Sequence, residues 1–221
     1  MAPVSYLMED YDVVQKEAAD CQERILDLCA APGGKSTQIA ARMHEMYTSG
    51  KWKEQGLLIC NEIHPARAKI LSENVERMGI ANAMVTNESP QRLAEVFEDY
   101  FTRILVDAPC SGEGMFRKNE AACEEWNPEN VRLCAERQDG ILDCAASMLA
   151  PGGRIVYSTC TFAPAENEGS MTRFLLRHPE FHIVEVKKAE GMSAGVPEWA
   201  YFGEKMGQVL PDFAQTIRLW P

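Results

Sequence analysis

The chain has 221 residues, 46% of them hydrophobic and 25% charged, a balance typical of one globular domain with a sizeable core. Its net charge of −11 argues against a general nucleic-acid binder, because such proteins present a basic face to phosphates. No apolar run is long enough to span a membrane. The first residues lack the basic and apolar regions of a secretory signal, so we expect a cytoplasmic protein.

The predicted elements alternate along the chain. Residues 1–24 form an acidic lead-in that we expect to be helical. Strands are then predicted at 24–29, 57–62, 83–86, 103–107, 154–159 and 181–186, and helices at 35–46, 65–78, 89–98, 128–149 and 164–178. This alternation predicts a doubly wound, mostly parallel α/β sheet with helices on both faces.

Most of the conspicuous motifs follow a predicted strand. A Gly-rich turn, DLCAAPGGKS at 27–36, follows the first, and Glu62 ends the second. The segment Asp107-Ala-Pro-Cys110 ends the fourth strand, and Thr159-Cys160 ends the fifth. Because ligands of such sheets bind beyond the carboxyl ends of the strands, these motifs predict one site at that edge.

The Gly-rich turn suits a nucleotide-like cofactor. Gly33 and Gly34 allow a tight turn and a close approach of the ligand to the start of the following helix. The spacing matches neither the nicotinamide fingerprint nor a phosphate-binding loop, which disfavours a nicotinamide oxidoreductase. Glu62 suits the two hydroxyls of a ribose. The alternatives are an ordinary strand-to-helix turn and a solvated carboxylate.

Seven of the eight cysteines divide into two groups. Cys29, Cys60, Cys123, Cys134 and Cys144 fit the usual role of a small core residue. Cys110 and Cys160 instead lie in loops at strand exits, where each is as suited to function as to packing. A reactive thiol needs positive charge nearby, and the candidate sources are Lys35, Arg117 and Lys118.

Disulfides and metal sites are not expected. The cysteines are scattered through apolar segments of a chain that we expect to be cytoplasmic, which favours reduced thiols. There is no Cys-x-x-Cys pair to complete a structural zinc site with any of the four histidines.

Six segments together resemble one known family. They are 26–36, 61–63, 104–118, 136–138, 151–154 and 157–162. The chain resembles the Sun/Fmu (RsmF/RsmB-like) family of S-adenosylmethionine-dependent RNA 5-methylcytosine methyltransferases, and within it the bacterial ribosomal RNA branch. The resemblance implies a Rossmann-like class I methyltransferase domain over 25–221.

The resemblance also implies roles for three residues. Cys160 is the nucleophile that adds to C6 of a cytosine, which makes C5 able to accept a methyl group. Asp107 hydrogen-bonds the cytosine edge near N3. Cys110 assists breakdown of the covalent adduct after methylation.

The implied cofactor is S-adenosylmethionine, and no metal is needed. The implied cofactor-binding residues are Cys29, Ala30, Ala31, Pro32, Gly33, Gly34, Lys35, Glu62, Arg67, Ser89 and Asp107. Ser89 stands where many relatives have an Asp near the adenine, so Asn87 and Glu88 are alternatives for that contact.

The resemblance also bears on length and partners. Relative to the family, we expect the chain to lack the last strand of the sheet and the flanking RNA-binding portions. We therefore expect a monomer that binds RNA weakly, with ribosomal RNA favoured over transfer RNA and no membrane partner. The remaining alternative is a cofactor-binding module with little activity of its own.

Overall fold

The computed structural model describes residues 2–9, 22–118, 120–200 and 212–220, without the side chains of 121 and 125. The chain divides into two compact units. The first comprises the described residues of Met1–Ala108 and Cys144–Ser158, and the second those of Pro109–Asp143 and Thr159–Pro221. Within the described part of the chain, no helix is long and apolar enough to cross a membrane.

The first unit contains a five-stranded sheet in the order β3-β2-β1-β4-β5, with every neighbouring pair parallel. The strands are β1 (Arg24–Asp27), β2 (Leu57–Asn61), β3 (Ala83–Thr86), β4 (Phe101–Asp107) and β5 (Leu149–Ser158). Its helices are α1 (Ala2–Met8), α2 (Gly34–Thr48), α3 (Pro65–Arg77) and α4 (Pro90–Ala94). The order reverses at β1, which lies between β2 and β4 and so marks the switch point of the sheet.

Apolar runs in the central strands explain the core of this unit. Ile25 and Leu26 of β1 are fully buried, as expected for a parallel strand that is covered on both faces. One core cluster joins Ile25 to the helices, with Leu7 of α1, Ile39 of α2 and Leu71 of α3 also fully buried.

The second unit contains α5 (Glu120–Glu125), the part of α6 (Pro128–Met148) up to Asp143, and α7 (Glu168–Arg177). Two short strands, β6 (Ser193–Ala194) and β7 (Ile217–Arg218), form an antiparallel pair. Arg218 of β7 forms a buried ion pair with Glu168 of α7, and its guanidinium lies 4.7 Å from the ring centroid of Trp199.

The structure confirms five of the six predicted strands and corrects the sixth. Residues 181–186 are not a strand, although their pattern alternates. The backbone N–H of Val186 donates to Gln215 (3.4 Å), but the segment joins no ladder in the described residues. Strand formation depends on a pairing neighbour, which a local pattern does not reveal.

Two predicted helices differ in extent. The helix expected over 89–98 is confined to α4, and the one expected over 164–178 is a 3-10 turn at Pro164–Glu166 followed by α7. Asn167 separates these two pieces with φ −118° and ψ −95°, outside the helical region. The helical lead-in is confirmed over Ala2–Met8, and its residues 10–21 lie outside the described part.

Candidate active site

At the switch point, Asn61 connects the turns that follow three strands. Its side-chain amide donates to Leu28 O (3.2 Å), after β1, and to Glu88 O (3.0 Å), after β3. Its Oδ1 accepts from the Thr86 hydroxyl (2.9 Å) and the Glu88 N–H (3.1 Å). Because Asn61 ends β2 and is 1% exposed, these buried bonds hold the three turns in a fixed arrangement.

The Gly-rich turn leads into the first turn of α2. Gly33 has φ +108°, and a Cβ at this position would lie 3.0 Å from Leu71 Cδ1, so glycine is required. The Arg67 guanidinium donates to Ala31 O (2.9 Å) and the Asn74 amide to Pro32 O (2.8 Å). These bonds fix the turn so that the N–H groups and positive dipole end of α2 face the same edge.

Glu62 lies immediately after β2, as the sequence predicted, but it is only 3% exposed. Its Oε1 accepts from the His64 N–H (2.9 Å), and its Oε2 lies 3.4 Å from the Arg67 guanidinium. The alternative of a solvated carboxylate is therefore wrong. Arg67 links this carboxylate to the Gly-rich turn.

Lys35 and Asp107 form an ion pair between α2 and the end of β4. Lys35 Nζ donates to Asp107 Oδ2 (2.5 Å), while the Ser158 hydroxyl donates to Asp107 Oδ1 (2.7 Å). The Asp107 side chain keeps 32% of its surface exposed. The carboxylate is thus held in one orientation and remains accessible to a ligand.

Asp27 is a second carboxyl in this region, and the sequence did not single it out. It is fully buried; its Oδ2 accepts from the Ser36 hydroxyl (2.7 Å), whereas its Oδ1 has no partner among the described residues. Burial raises the pKa of Asp27 to about 7, and repulsion from Asp107 adds to this.

Cys29, in the Gly-rich turn, is a buried thiol. Burial raises the pKa of the Cys29 thiol to about 12, so Cys29 packs as a neutral thiol.

The second unit contains both loop cysteines, and their sulfur atoms lie 3.2 Å apart. The Cys160 N–H also donates to Cys110 Sγ (3.3 Å). Hydrogen bonding with Cys160, together with burial, raises the pKa of the Cys110 thiol above its ordinary value, so Cys110 keeps its proton at neutral pH. Cys160 is the more exposed of the pair.

Two residues that the sequence analysis did not single out shape the Cys160 loop. Glu113 Oε2 accepts from the Thr161 hydroxyl (3.1 Å) and the Phe162 N–H (2.9 Å). The Gly114 N–H donates to Cys160 O (2.7 Å), and a Cβ on Gly114 would lie 2.7 Å from that oxygen. The run Ser111-Gly-Glu-Gly114 therefore fits closely against the Cys160 loop.

The three candidates for the adenine contact differ in their surroundings. The Ser89 hydroxyl accepts from the Arg92 N–H (3.2 Å) and caps α4. The Asn87 amide donates to Glu62 O (2.6 Å) and Ile63 O (3.0 Å), and the Glu88 side chain is exposed. A cofactor contact by Ser89 stays a prediction.

A family model described as "16S rRNA methyltransferase RsmB/F" matches residues 16–221. The chain belongs to this family.

Relatives of the RsmB/F family with curated names agree with this assignment. The chain is 37% identical over 195 residues to ribosomal RNA small subunit methyltransferase F of Cronobacter sakazakii, covering 88% of this chain and 37% of the relative. It is 40% identical over 185 residues to the protein of that name in Serratia proteamaculans, covering 84% and 35%. The chain therefore spans about a third of the length of these relatives.

Solved structures show the same fold. The crystal structure of PH0851 has a TM-score of 0.73 and 28% identity, with 88% of this chain and 41% of that one covered. NSun6 from Pyrococcus horikoshii, solved with SFG, has a TM-score of 0.59 and 26% identity, with 88% and 44% covered. These neighbours confirm the Rossmann-like methyltransferase fold of this RsmB/F member.

Proposed function

We propose that this chain is the catalytic domain of an S-adenosylmethionine-dependent methyltransferase that modifies C5 of a cytosine in ribosomal RNA. The observation that carries the proposal is the pair of thiols 3.2 Å apart, one protonated and one exposed, in a member of the RsmB/F family. Two adjacent thiols suit a reaction in which one acts as the nucleophile and the other as a general acid or base. A cytoplasmic location stays a prediction.

The first unit offers a donor set that fits S-adenosylmethionine. The Gly-rich turn gives backbone N–H groups at the start of α2, and its Gly33 has a φ of +108° that other residues rarely adopt. Glu62 is an oriented carboxylate acceptor for ribose hydroxyls, and Lys35 with Asp107 provides a charged pair beside the turn. When bound, the cofactor would supply an electrophilic methyl group. That NSun6 was solved with SFG is consistent with a ligand site in this fold.

The proposed reaction begins with Cys160. Its thiolate adds to C6 of cytosine, which shifts the electrons of the C5–C6 double bond towards C5 and makes C5 nucleophilic. C5 would then take the methyl group as the bond between that group and the cofactor sulfur breaks. We assign to Asp107 the hydrogen bond near N3 that stabilises the adduct.

Release of the product requires loss of the C5 proton and of the sulfur. As the C5–H bond breaks, its electron pair restores the C5–C6 double bond and the C6–S bond cleaves to return the Cys160 thiolate. We assign assistance of this step to Cys110, whose sulfur lies within hydrogen-bonding distance of Cys160 Sγ. Since Cys110 holds its proton at neutral pH, it first gives that proton to a base, and the resulting thiolate then accepts the C5 proton.

The test uses methyl-labelled S-adenosylmethionine with unmodified 16S rRNA and four proteins: wild type, Cys160→Ala, Cys110→Ala and Cys123→Ala. We expect no transfer by Cys160→Ala and an accumulated covalent protein–RNA adduct with Cys110→Ala. Cys123 is an exposed cysteine of α5, so its variant is the matched control and should behave as wild type. Unchanged transfer by Cys160→Ala would overturn the nucleophile assignment.

Parallel assays with transfer RNA and nucleoside mass spectrometry separate the alternatives. Labelled 5-methylcytidine in transfer RNA but not in 16S rRNA would contradict the ribosomal assignment. Cofactor binding without transfer to either RNA would instead support the alternative of a cofactor-binding module with little activity of its own. This alternative is considered because the chain spans only about a third of the length of its relatives.

A further inference from the structure

We propose that Glu166, together with Gln138, is the positioning residue that fixes the separation of the Cys110 and Cys160 thiols. Both residues are fully buried in the second unit. The geometric part of this inference is independent of the reaction. Its catalytic consequence rests on the proposed function.

Glu166 holds the residue that follows Cys110. Its Oε2 accepts from the Ser111 N–H (3.0 Å), and its Oε1 accepts from the Ser111 hydroxyl. One carboxylate therefore accepts hydrogen bonds from both donors of Ser111, its backbone N–H and its hydroxyl. Since Glu166 belongs to the segment after Cys160, these bonds tie the two cysteine loops together.

Gln138 holds the residue that precedes Cys110. Its side-chain amide donates to Pro109 O (3.1 Å) and to Glu166 Oε2 (2.8 Å), and its Oε1 accepts from the Ser170 hydroxyl (3.1 Å). Both chain neighbours of Cys110 are thus fixed by the Glu166–Gln138 pair. Gln138 belongs to α6, so one member of the Glu166–Gln138 pair is held by a regular helix.

The other side of the thiol pair is attached to the same network. The Thr161 hydroxyl oxygen lies 2.9 Å from Ser111 Oγ, so the residues that follow the two cysteines meet next to the sulfur contact. The Ala163 N–H donates to Thr161 Oγ1 (3.2 Å). Separating the loops would leave several buried polar groups without partners, which is unfavourable.

The network also favours a carboxylate at position 166. Both of its oxygens accept, and their donors include the backbone N–H of Ser111 and the amide of Gln138. Glu166→Gln keeps the shape but replaces one acceptor by an N–H donor. The Ser111 hydroxyl would have to turn and accept from that donor, and the loss of the negative charge weakens the remaining bonds from the Ser111 N–H and the Gln138 amide.

The test measures thiol proximity directly, on the full chain equilibrated with reduced and oxidised glutathione. In this exchange the two thiols lose their protons and form one disulfide, while one oxidised glutathione is reduced to two thiols. The equilibrium constant reports how well one sulfur is presented to the other. After acid trapping, the Cys110–Cys160 linked peptide is quantified by mass spectrometry. We expect Glu166→Gln to lower this constant by about tenfold or more.

Four further variants separate positioning from loss of stability. Phe213→Leu truncates a buried ring that takes part in none of the hydrogen bonds of this network and should leave the constant within about twofold of wild type. Gly114→Ala places a Cβ against Cys160 O and should lower it, whereas Gly140→Ala, in open space on α6, should not. If Glu166→Gln does not fold, Ser111→Ala removes the hydroxyl contacts alone and should lower the constant.

Activity provides the second measurement. If the proposed reaction is correct, Glu166→Gln should prolong the covalent adduct in single-turnover methylation, with KM for RNA unchanged. A lowered disulfide constant with no methyl transfer by wild type would support the positioning role and refute the proposed function. A constant unchanged or raised in Glu166→Gln would overturn the positioning role, whatever the activity.

Discussion

At the scale of single residues, Asp27 makes stability depend on pH. Burial raises its pKa from 3.8 to about 7, so the folded state binds the proton more tightly than the unfolded state does. The resulting stabilisation is complete below pH 4 and is lost as the pH rises towards 7. The difference of about three pH units corresponds to roughly 4 kcal/mol of unfolding free energy.

Asp27→Asn should remove this dependence, because an amide does not titrate and its oxygen still accepts from Ser36. In urea unfolding at pH 5 and pH 8, wild type should lose more stability with rising pH than the variant does. The exposed Glu73→Gln of α3 is the control and should follow wild type. Parallel pH profiles for wild type and Asp27→Asn would contradict the assignment.

Residue chemistry in the site was predictable only in part from the sequence. Cys110, Cys160, Asp107 and Glu62 were predicted as candidates from the motifs that follow the strands, because the ligands of a parallel sheet bind beyond the carboxyl ends of its strands. Glu166 could not be found this way. An acidic residue at a helix start usually signals a surface position that favours the helix dipole. Its burial results from three segments that are distant in sequence.

At the scale of elements, α1 depends on its attachment to the sheet. This helix has seven residues and is too short to be stable alone. The Arg154 guanidinium of β5 donates to Tyr6 O (3.1 Å) and Glu9 O (2.7 Å), and the Arg103 guanidinium of β4 donates to Leu7 O (2.8 Å). Two strand arginines therefore satisfy carbonyls at the end of α1.

Arg154→Met should loosen α1 while keeping the aliphatic packing of the side chain. The lost charged hydrogen bonds correspond to about 1–2 kcal/mol, so backbone amides of α1 should exchange with deuterium roughly tenfold faster. Hydrogen exchange with mass spectrometry measures this. Arg92→Met, which removes an exposed i,i+3 ion pair of α4, should leave exchange in α1 unchanged. Equal exchange in the Arg154 variant would show that apolar packing alone holds α1.

Element boundaries show where local sequence information ends. Proline at the start of α3 and α4 and glycine before α2 mark the helix starts correctly. The alternating pattern at 181–186 was misleading, because a strand also needs a neighbour with free backbone groups. The 3.2 Å sulfur separation likewise depends on tertiary contacts of Ser111 and Thr161, which no local pattern encodes.

At the scale of the whole molecule, the net charge of −11 conflicts with tight RNA binding. Affinity for nucleic acids comes largely from lysine and arginine that displace counterions, and affinity then falls steeply with salt. Here acidic residues outnumber basic ones by 33 to 22, and the chain spans about a third of its curated relatives. We therefore expect the chain alone to bind RNA only weakly.

Fluorescence anisotropy with a labelled 16S rRNA fragment at 50 and 200 mM salt tests this expectation. We expect a Kd above about 1 μM at the higher salt and a shallow dependence on salt, since few phosphates are contacted. Arg117→Gln with Lys118→Gln, next to the Cys110 loop, should weaken the residual binding if that basic pair contributes, whereas Arg92→Gln on α4 should not. A nanomolar Kd at 200 mM salt would mean that a local basic surface overcomes the net charge. The expectation that the chain alone binds RNA weakly would then be wrong.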